Sequence, residues 1–209
     1  MSSRFLFPIL SILFLFSANT AFSQIWLENF SGANQGWTDA NFTDCDGTGS
    51  NGVNAGRYEV VDMEGSPCCP TGPTTGGGNF NEWITNDINI QGFCNVGISV
   101  QYGFVGTFEC SAGGPYFACT ADPIIDNGHD QIVFEYSING GGWVQFQYVC
   151  GGQAGTATAT GLTGNTLRIR ILPANKSTAE TYWFDNVTVT GTAAPTVNPV
   201  NDITVCSGQ

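Results

Sequence analysis

Positive charge is scarce in this chain. Five lysines and arginines stand against 17 aspartates and glutamates, a formal net charge of −12, and after Gln24 the only strong cations are Arg57, Arg168, Arg170 and Lys176. Such a surface repels phosphate backbones and anionic membrane faces, which argues against nucleic-acid and membrane partners. It fits an extracellular protein that stays soluble or takes up cations. Histidine occurs once, at His129. A hydrolytic triad would have to use it, and neither a Gly-x-Ser-x-Gly turn nor a recognisable cysteine nucleophile accompanies it. None of the eight cysteines forms a Cys-x-x-Cys pair, which lowers the case for zinc. Beyond Gln24 there is almost no apolar pattern of period 3.6, and no apolar run approaches the ~20 residues that cross a bilayer.

The amino end is organised for export. Arg4 precedes an apolar run from Phe5 to Phe16, and the small, polar stretch Ser17 to Ser23 follows. This pattern is that of a signal peptide, with Ala21 and Ser23 at the spacing a signal peptidase selects, so residues 1–23 are expected to be removed and the mature chain to begin at Gln24. An anchoring helix is the competing reading, for which the run is short. In an exported chain the cysteines read as disulfides. Cys110 and Cys119 are close enough to staple one loop, with Cys45, Cys68, Cys69, Cys94 and Cys150 available for others, but spacing does not determine the pairing. Seven of the eight precede the linker, leaving one thiol of the main domain without an expected partner.

What dominates after Gln24 is alternation of period two, punctuated by glycine, asparagine and proline, the pattern of an all-β chain. Ile98, Val100, Tyr102 and Phe104 alternate with polar or small residues as a half-buried strand requires. A hairpin is expected over 132–148. Ile132, Phe134, Tyr136 and Ile138 face inward, Asn139 to Gly142 turns, and Val144, Phe146 and Tyr148 return. Leu167, Ile169 and Ile171 mark another strand and Tyr182 to Thr190 the last. Three long glycine-rich loops are expected over 44–56, 65–79 and 110–129. The fold expected is a two-sheet antiparallel β-sandwich of jelly-roll type over residues 24–190. A linker follows over 191–196, and residues 197–209 read as the first strand of a further, truncated domain, since one strand cannot fold alone.

Few residues are placed to carry chemistry. Asp185, in Trp183-Phe184-Asp185-Asn186-Val187, shares its period-two face with Val187 and Val189, and Glu28 shares one with Trp26 and Phe30. A carboxylate on a core face is costly unless paired or bound to a cation. First and last strands of a sandwich often lie side by side, so Glu28 and Asp185 are candidate ligands of a structural calcium ion. The alternative is that each faces outward or caps a loop by accepting N–H bonds. Asp44-Cys45-Asp46-Gly47 begins like a calcium loop but lacks the closing acidic residue, and a polar turn is the plainer reading. Asp126, His129 and Asp130 form a third polar patch. Glu135 stands alone on its strand, with no second carboxylate at alternating spacing to complete a glycosidase pair. Aromatic rings stack on pyranose faces, and Trp143 is the best-placed platform because Val144, Phe146 and Tyr148 are expected on the opposite face of its strand. Trp37, Trp83 and Tyr116 are weaker candidates, and most tryptophans of a sandwich belong to its core.

Three segments together resemble a known module: Trp26-Leu27-Glu28-Asn29-Phe30 with Gly36-Trp37, Tyr136-Ser137-Ile138-Asn139-Gly140-Gly141-Gly142-Trp143, and Trp183-Phe184-Asp185-Asn186-Val187. This is the jelly-roll module at the front of large secreted and surface proteins of Bacteroidetes-type bacteria. The segment 195–209 resembles the start of an immunoglobulin-like surface repeat that follows such modules. The resemblance implies export, often with a type IX sorting domain, a role in adhesion or in holding glycan, and a structural calcium at positions matching Glu28 and Asp185. The expectation is a secreted or cell-surface, non-catalytic module that binds glycan or another surface partner. An extracellular hydrolase, or an accessory domain of one, is the alternative.

Overall fold

A computed structural model describes residues 22–42, 44, 47–63, 81–108, 110, 130–175 and 177–194. These form strands β1 (Phe22–Glu28), β2 (Trp37–Ala40), β3 (Ser50–Asn54), β4 (Arg57–Val61), β5 (Glu82–Thr85), β6 (Ile88–Asn89), β7 (Phe93–Val105), β8 (Gln131–Ile138), β9 (Val144–Cys150), β10 (Gly155–Leu162), β11 (Thr166–Ala174) and β12 (Thr181–Ala193). Helix is absent among the described residues, so none is long and apolar enough to cross a membrane.

The strands build two six-stranded antiparallel sheets. The first runs β10-β7-β12-β4-β3, with β1 also paired to β12, and the second runs β2-β5-β11-β8-β9, with β6 also paired to β11. The chain passes from one sheet to the other at most of its turns, which makes a β-sandwich of jelly-roll type, as the alternation anticipates. Between the sheets lie Val96, Ile98, Val100 and Tyr102 of β7, Ile132 and Phe134 of β8, Leu167, Ile169 and Ile171 of β11, and Tyr182, Phe184, Val187 and Val189 of β12. At one end the core is aromatic: the ring centroid of Phe30 lies 5.8–5.9 Å from those of Trp37, Tyr58, Trp83 and Phe184.

Several local expectations change. The span 44–56 is not all loop, because Ser50–Asn54 pairs with β4 as an edge strand. Tyr148 does not continue the inward row of the hairpin. A register shift between the Phe134 and Glu135 pairings sets Tyr148 opposite Val133 and returns Val149 to the core. Val144 is 47% exposed. The last strand extends to Ala193 rather than ending at Thr190, because Gly191 is a packing position: a Cβ there would stand 2.9 Å from Ile25 Cδ1. Cys110 is joined to Cys150, not to Cys119, which ties the end of β9 to a residue 40 positions earlier and removes chain entropy from the unfolded state. Cys94 is also disulfide-bonded, and none of the described cysteines is free. The other expected loops, the signal peptide before Phe22 and the segment 195–209 lie outside the described residues.

Two buried tyrosines make the fold sensitive to alkali. Tyr58 donates to Asp39 Oδ2 at 2.7 Å and Tyr182 to the Gly151 carbonyl at 2.9 Å, and neither side chain is exposed. Burial raises both phenols far above their ordinary value, with the bond to Asp39 adding at Tyr58 and the charge of Asp130 at Tyr182. Both stay protonated when folded, while the unfolded chain ionises them near pH ~10. The stabilisation is full below that pH and is lost as pH rises above it. Urea unfolding is expected to show about 2 kcal/mol lost between about pH 10 and 11, roughly halved in Tyr182→Phe. A flat profile across that window would contradict the burial of these phenols.

Candidate functional site

Glu28 is a buried carboxylate with three hydrogen-bond donors around it. Its side chain is 2% exposed, and both oxygens accept from N–H groups of the turn that follows β1. Phe30 N donates to Oε1 at 2.7 Å, while Gln35 N at 2.9 Å and Trp37 Nε1 at 2.7 Å donate to Oε2. The turn needs this support, because Phe30 has φ 51°, a left-handed conformation that is costly for a bulky residue. The bond to its N–H holds Phe30 in that conformation, with its ring among the core aromatics. Glu28 therefore organises a loop, which is the cap alternative. Trp37 belongs to the same unit: its ring packs on Phe30, Tyr58 and Trp83, and its N–H is used by Glu28. It is half-buried and packs against the core, while Trp83 is fully buried within it.

Asp185 does not share the core face. A register shift between Asp185 and Thr188, with Asn186 at φ 48°, lets Phe184 and Val187 both point inward and sets Asp185 beside the exposed Gln101 on the outer face. Its oxygens accept from Asn186 N at 2.6 Å and Asn186 Nδ2 at 3.1 Å. Strict alternation misplaces it because a bulge adds one residue to one strand and inverts the parity beyond it. Glu28, paired with Val187, is inside, and Asp185 is outside. The described residues thus do not fit a calcium ion shared by these two carboxylates, and they contain no other cluster of three or more metal-ligating side chains. In the Asp44 segment Gly47 N and Gly49 N donate to the two carboxylate oxygens of Asp44 at 2.8 and 2.6 Å, while Cys45 and Asp46 lie outside the described residues. Tyr116, Asp126 and His129 lie outside the described residues, and Asp130 is buried at the start of β8.

Trp143 is half-buried, just before β9, over the outer face of the second sheet. There β11 places Arg168 and Arg170 two residues apart, alternating with the core residues Leu167, Ile169 and Ile171. Arg170 Cζ lies 4.4 Å from the Trp143 ring centroid and Arg168 Cζ 5.7 Å from it, both within cation–π reach. Neighbouring strands fix the guanidinium groups. Arg170 Nη1 donates to Glu82 Oε1 of β5 at 2.8 Å, and Arg170 Nε donates to Glu135 Oε2 of β8 at 2.7 Å, an oxygen that its Nη2 also contacts. Arg168 Nε donates to the Thr85 carbonyl at 3.3 Å and lies 3.9 Å from Asp87 Oδ1. Glu135, alone on its own strand, has its partner across the sheet, where Arg170 pairs with it in register.

Arg168, Arg170 and Glu82 are residues that sequence reasoning did not assign to the site. The signal was there in part, since two of the chain's few cations alternate with apolar residues on one strand, but the pairing of β11 with both β5 and β8 is non-local. Trp183, on the outer face of the first sheet, offers less. One ring face lies against Gly103, where a Cβ would stand 2.3 Å from Cζ2, and Arg57 stands 4.9 Å over the ring.

The class this structure defines is a two-sheet jelly-roll module with a charge-framed aromatic on one outer face. No protein-family model matches the chain, and no curated protein does. Among solved structures it is similar to the K3 cleaved adhesin domain of Lys-gingipain from Porphyromonas gingivalis W83, at TM-score 0.46 and 10% identity over 81% of this chain and 99% of that one. It is also similar to a family 29 carbohydrate-binding module, at TM-score 0.44 and 12% identity over 87% and 99% of the two chains. A third likeness is to the CBM22-1–GH10 modules of a Clostridium thermocellum xylanase, at TM-score 0.42 and 14% identity over 85% of this chain and 30% of that one. At 10–14% identity, function rests on the residues of this chain.

Proposed function

We propose that this chain is a secreted or cell-surface, non-catalytic binding module of an adhesin-like protein, and that it holds a neutral glycan on the outer face of the second sheet. The observation that carries this reading is Trp143 standing over two guanidinium groups that are themselves bound to the sheet. Both arginines belong to β11 and alternate with its core residues, so ring and guanidinium groups share the outer face of the sheet, and the half-buried ring is the surface on which a pyranose would stack. Side chains already ordered by their own bonds lose little further freedom on binding. Three carboxylates (Glu82, Asp87, Glu135) surround two cations, a local charge of −1 that disfavours sulfated or uronic sugars. Glu82 and Glu135 are engaged by one guanidinium, so neither is poised as the acid or nucleophile of a glycosidase. Calcium does not enter this reading, because the N–H donors around Glu28 occupy the place a cation would take.

Affinity electrophoresis through neutral and acidic polysaccharides tests it. Retention is expected on at least one neutral polymer, with Trp143→Ala weakening it by about 10- to 100-fold, the worth of one stacked aromatic, while the melting temperature stays within a few degrees. Absence of binding to every polymer, or retention unaffected by the substitution, would overturn the reading.

A further inference from the structure

The edge strands of the sandwich are not managed alike. Edge strands expose unpaired N–H and C=O groups, and proteins blunt them with shortness, charge, proline or bulges. On one side of this molecule the edges follow that rule. Strand β2 has four residues and carries Asp39, and β3 has five, with Gly52 at φ 142° and Asn54 bonded to Glu59. Strand β1, paired only with β12, carries a register shift between Gln24 and Trp26 and ends in Glu28. On the other side β10 pairs only with β7 and runs for eight residues with neither charge nor proline. Its one irregularity is a register shift between Ala159 and Leu162, where Gly161 has φ 73°, and Gly155–Ala159 before it is regular. Thr156, Thr158 and Thr160 are exposed, and no side-chain bond engages them. Beneath β10 packs β9, the edge of the second sheet, with Val144 47% exposed.

We infer that β10 is a homodimerisation edge, on which a second copy of this chain adds its own β10 antiparallel, joining two first sheets into one. Self-complementarity selects this occupant. Residues 156–158, before that shift, read Thr-Ala-Thr, so a two-fold antiparallel pairing about Ala157 sets Thr156 opposite Thr158 outside and alanine opposite alanine inside. Cross-strand threonine pairs are favourable, and a two-fold axis requires the same patch on both partners. Elsewhere the net charge of −12 opposes association, and an uncharged edge is where two such chains can approach. The dimer is therefore expected to tighten with salt, as repulsion is screened.

Sedimentation velocity of the full secreted chain, up to roughly 100 μM, a concentration that populates dimers of micromolar Kd, reads the outcome. Wild type is expected to dimerise, more tightly at high salt. Thr156→Lys/Thr158→Lys is expected to weaken association by about 100-fold through like charges across the axis, with an unchanged melt because both positions are exposed. Mixing it with Thr156→Glu/Thr158→Glu is expected to restore a heterodimer, which a folding defect would not do. Monomeric wild type at every salt, or a dimer indifferent to the lysines, would overturn the inference. Glycan retention by the monomeric lysine variant keeps this outcome separate from that at Trp143.

Discussion

Glu28→Ala is expected to lower the unfolding free energy by about 4 kcal/mol, which in a domain of this size corresponds to a fall of roughly 10 °C in melting temperature. The loss does not come from the carboxylate's own burial, which costs energy. It comes from what the anion holds. Phe30 N, Gln35 N and Trp37 Nε1 all lose their acceptor, and Phe30 loses the bond that keeps it at φ 51° among the aromatic rings. Glu28→Gln separates charge from shape. It retains one oxygen but turns an NH₂ toward N–H donors, and about 2–3 kcal/mol is expected to be lost. Urea unfolding measures both. Exhaustive chelation of the wild type belongs in the same series and is expected to leave the midpoint unmoved. A chelation loss matching that of Glu28→Ala would restore a cation at this carboxylate.

The contrast between Glu28 and Asp185 shows how far the sequence was legible. That a carboxylate sat on the core face of β1 followed from period two, because no irregularity intervenes between Trp26 and Glu28. That Asp185 shared such a face was the same inference applied across a bulge, and it failed there. A residue at positive φ inverts inside and outside, and asparagine is one of the few side chains that tolerate that conformation, so Asn186 was the available warning. Tyr148 was misplaced for the same reason, one register shift along β9. The two-sheet architecture survived such errors because it rests on many independent alternations, whereas a site depends on single residues. The disulfide of Cys110 with Cys150 and the ion pairs of Arg170 depend on which distant segments meet. Local pattern carries no information about that choice.

The second large effect is expected at Arg170, where stability and binding can be taken apart. Its guanidinium is 19% exposed and neutralises Glu135, 11% exposed on β8, and Glu82, 23% exposed on β5. Arg170→Met leaves two half-buried carboxylates facing each other across β11 without a counter-ion, and a loss of about 3 kcal/mol is expected in urea unfolding. Removing a second partner relieves part of that loss: in Arg170→Met/Glu135→Met the stability is expected to return to within about 1 kcal/mol of wild type, because the more buried carboxylate is gone and only Glu82, the more exposed of the two, is left without its counter-ion. Binding is expected not to follow. Both variants remove the nearer of the two cations beneath Trp143, so glycan retention is expected to fall in the stable double variant, as it does in Trp143→Ala. If the double variant regained both stability and retention, Arg170 would be a structural ion pair only, and the ligand would lie on another face of the sandwich.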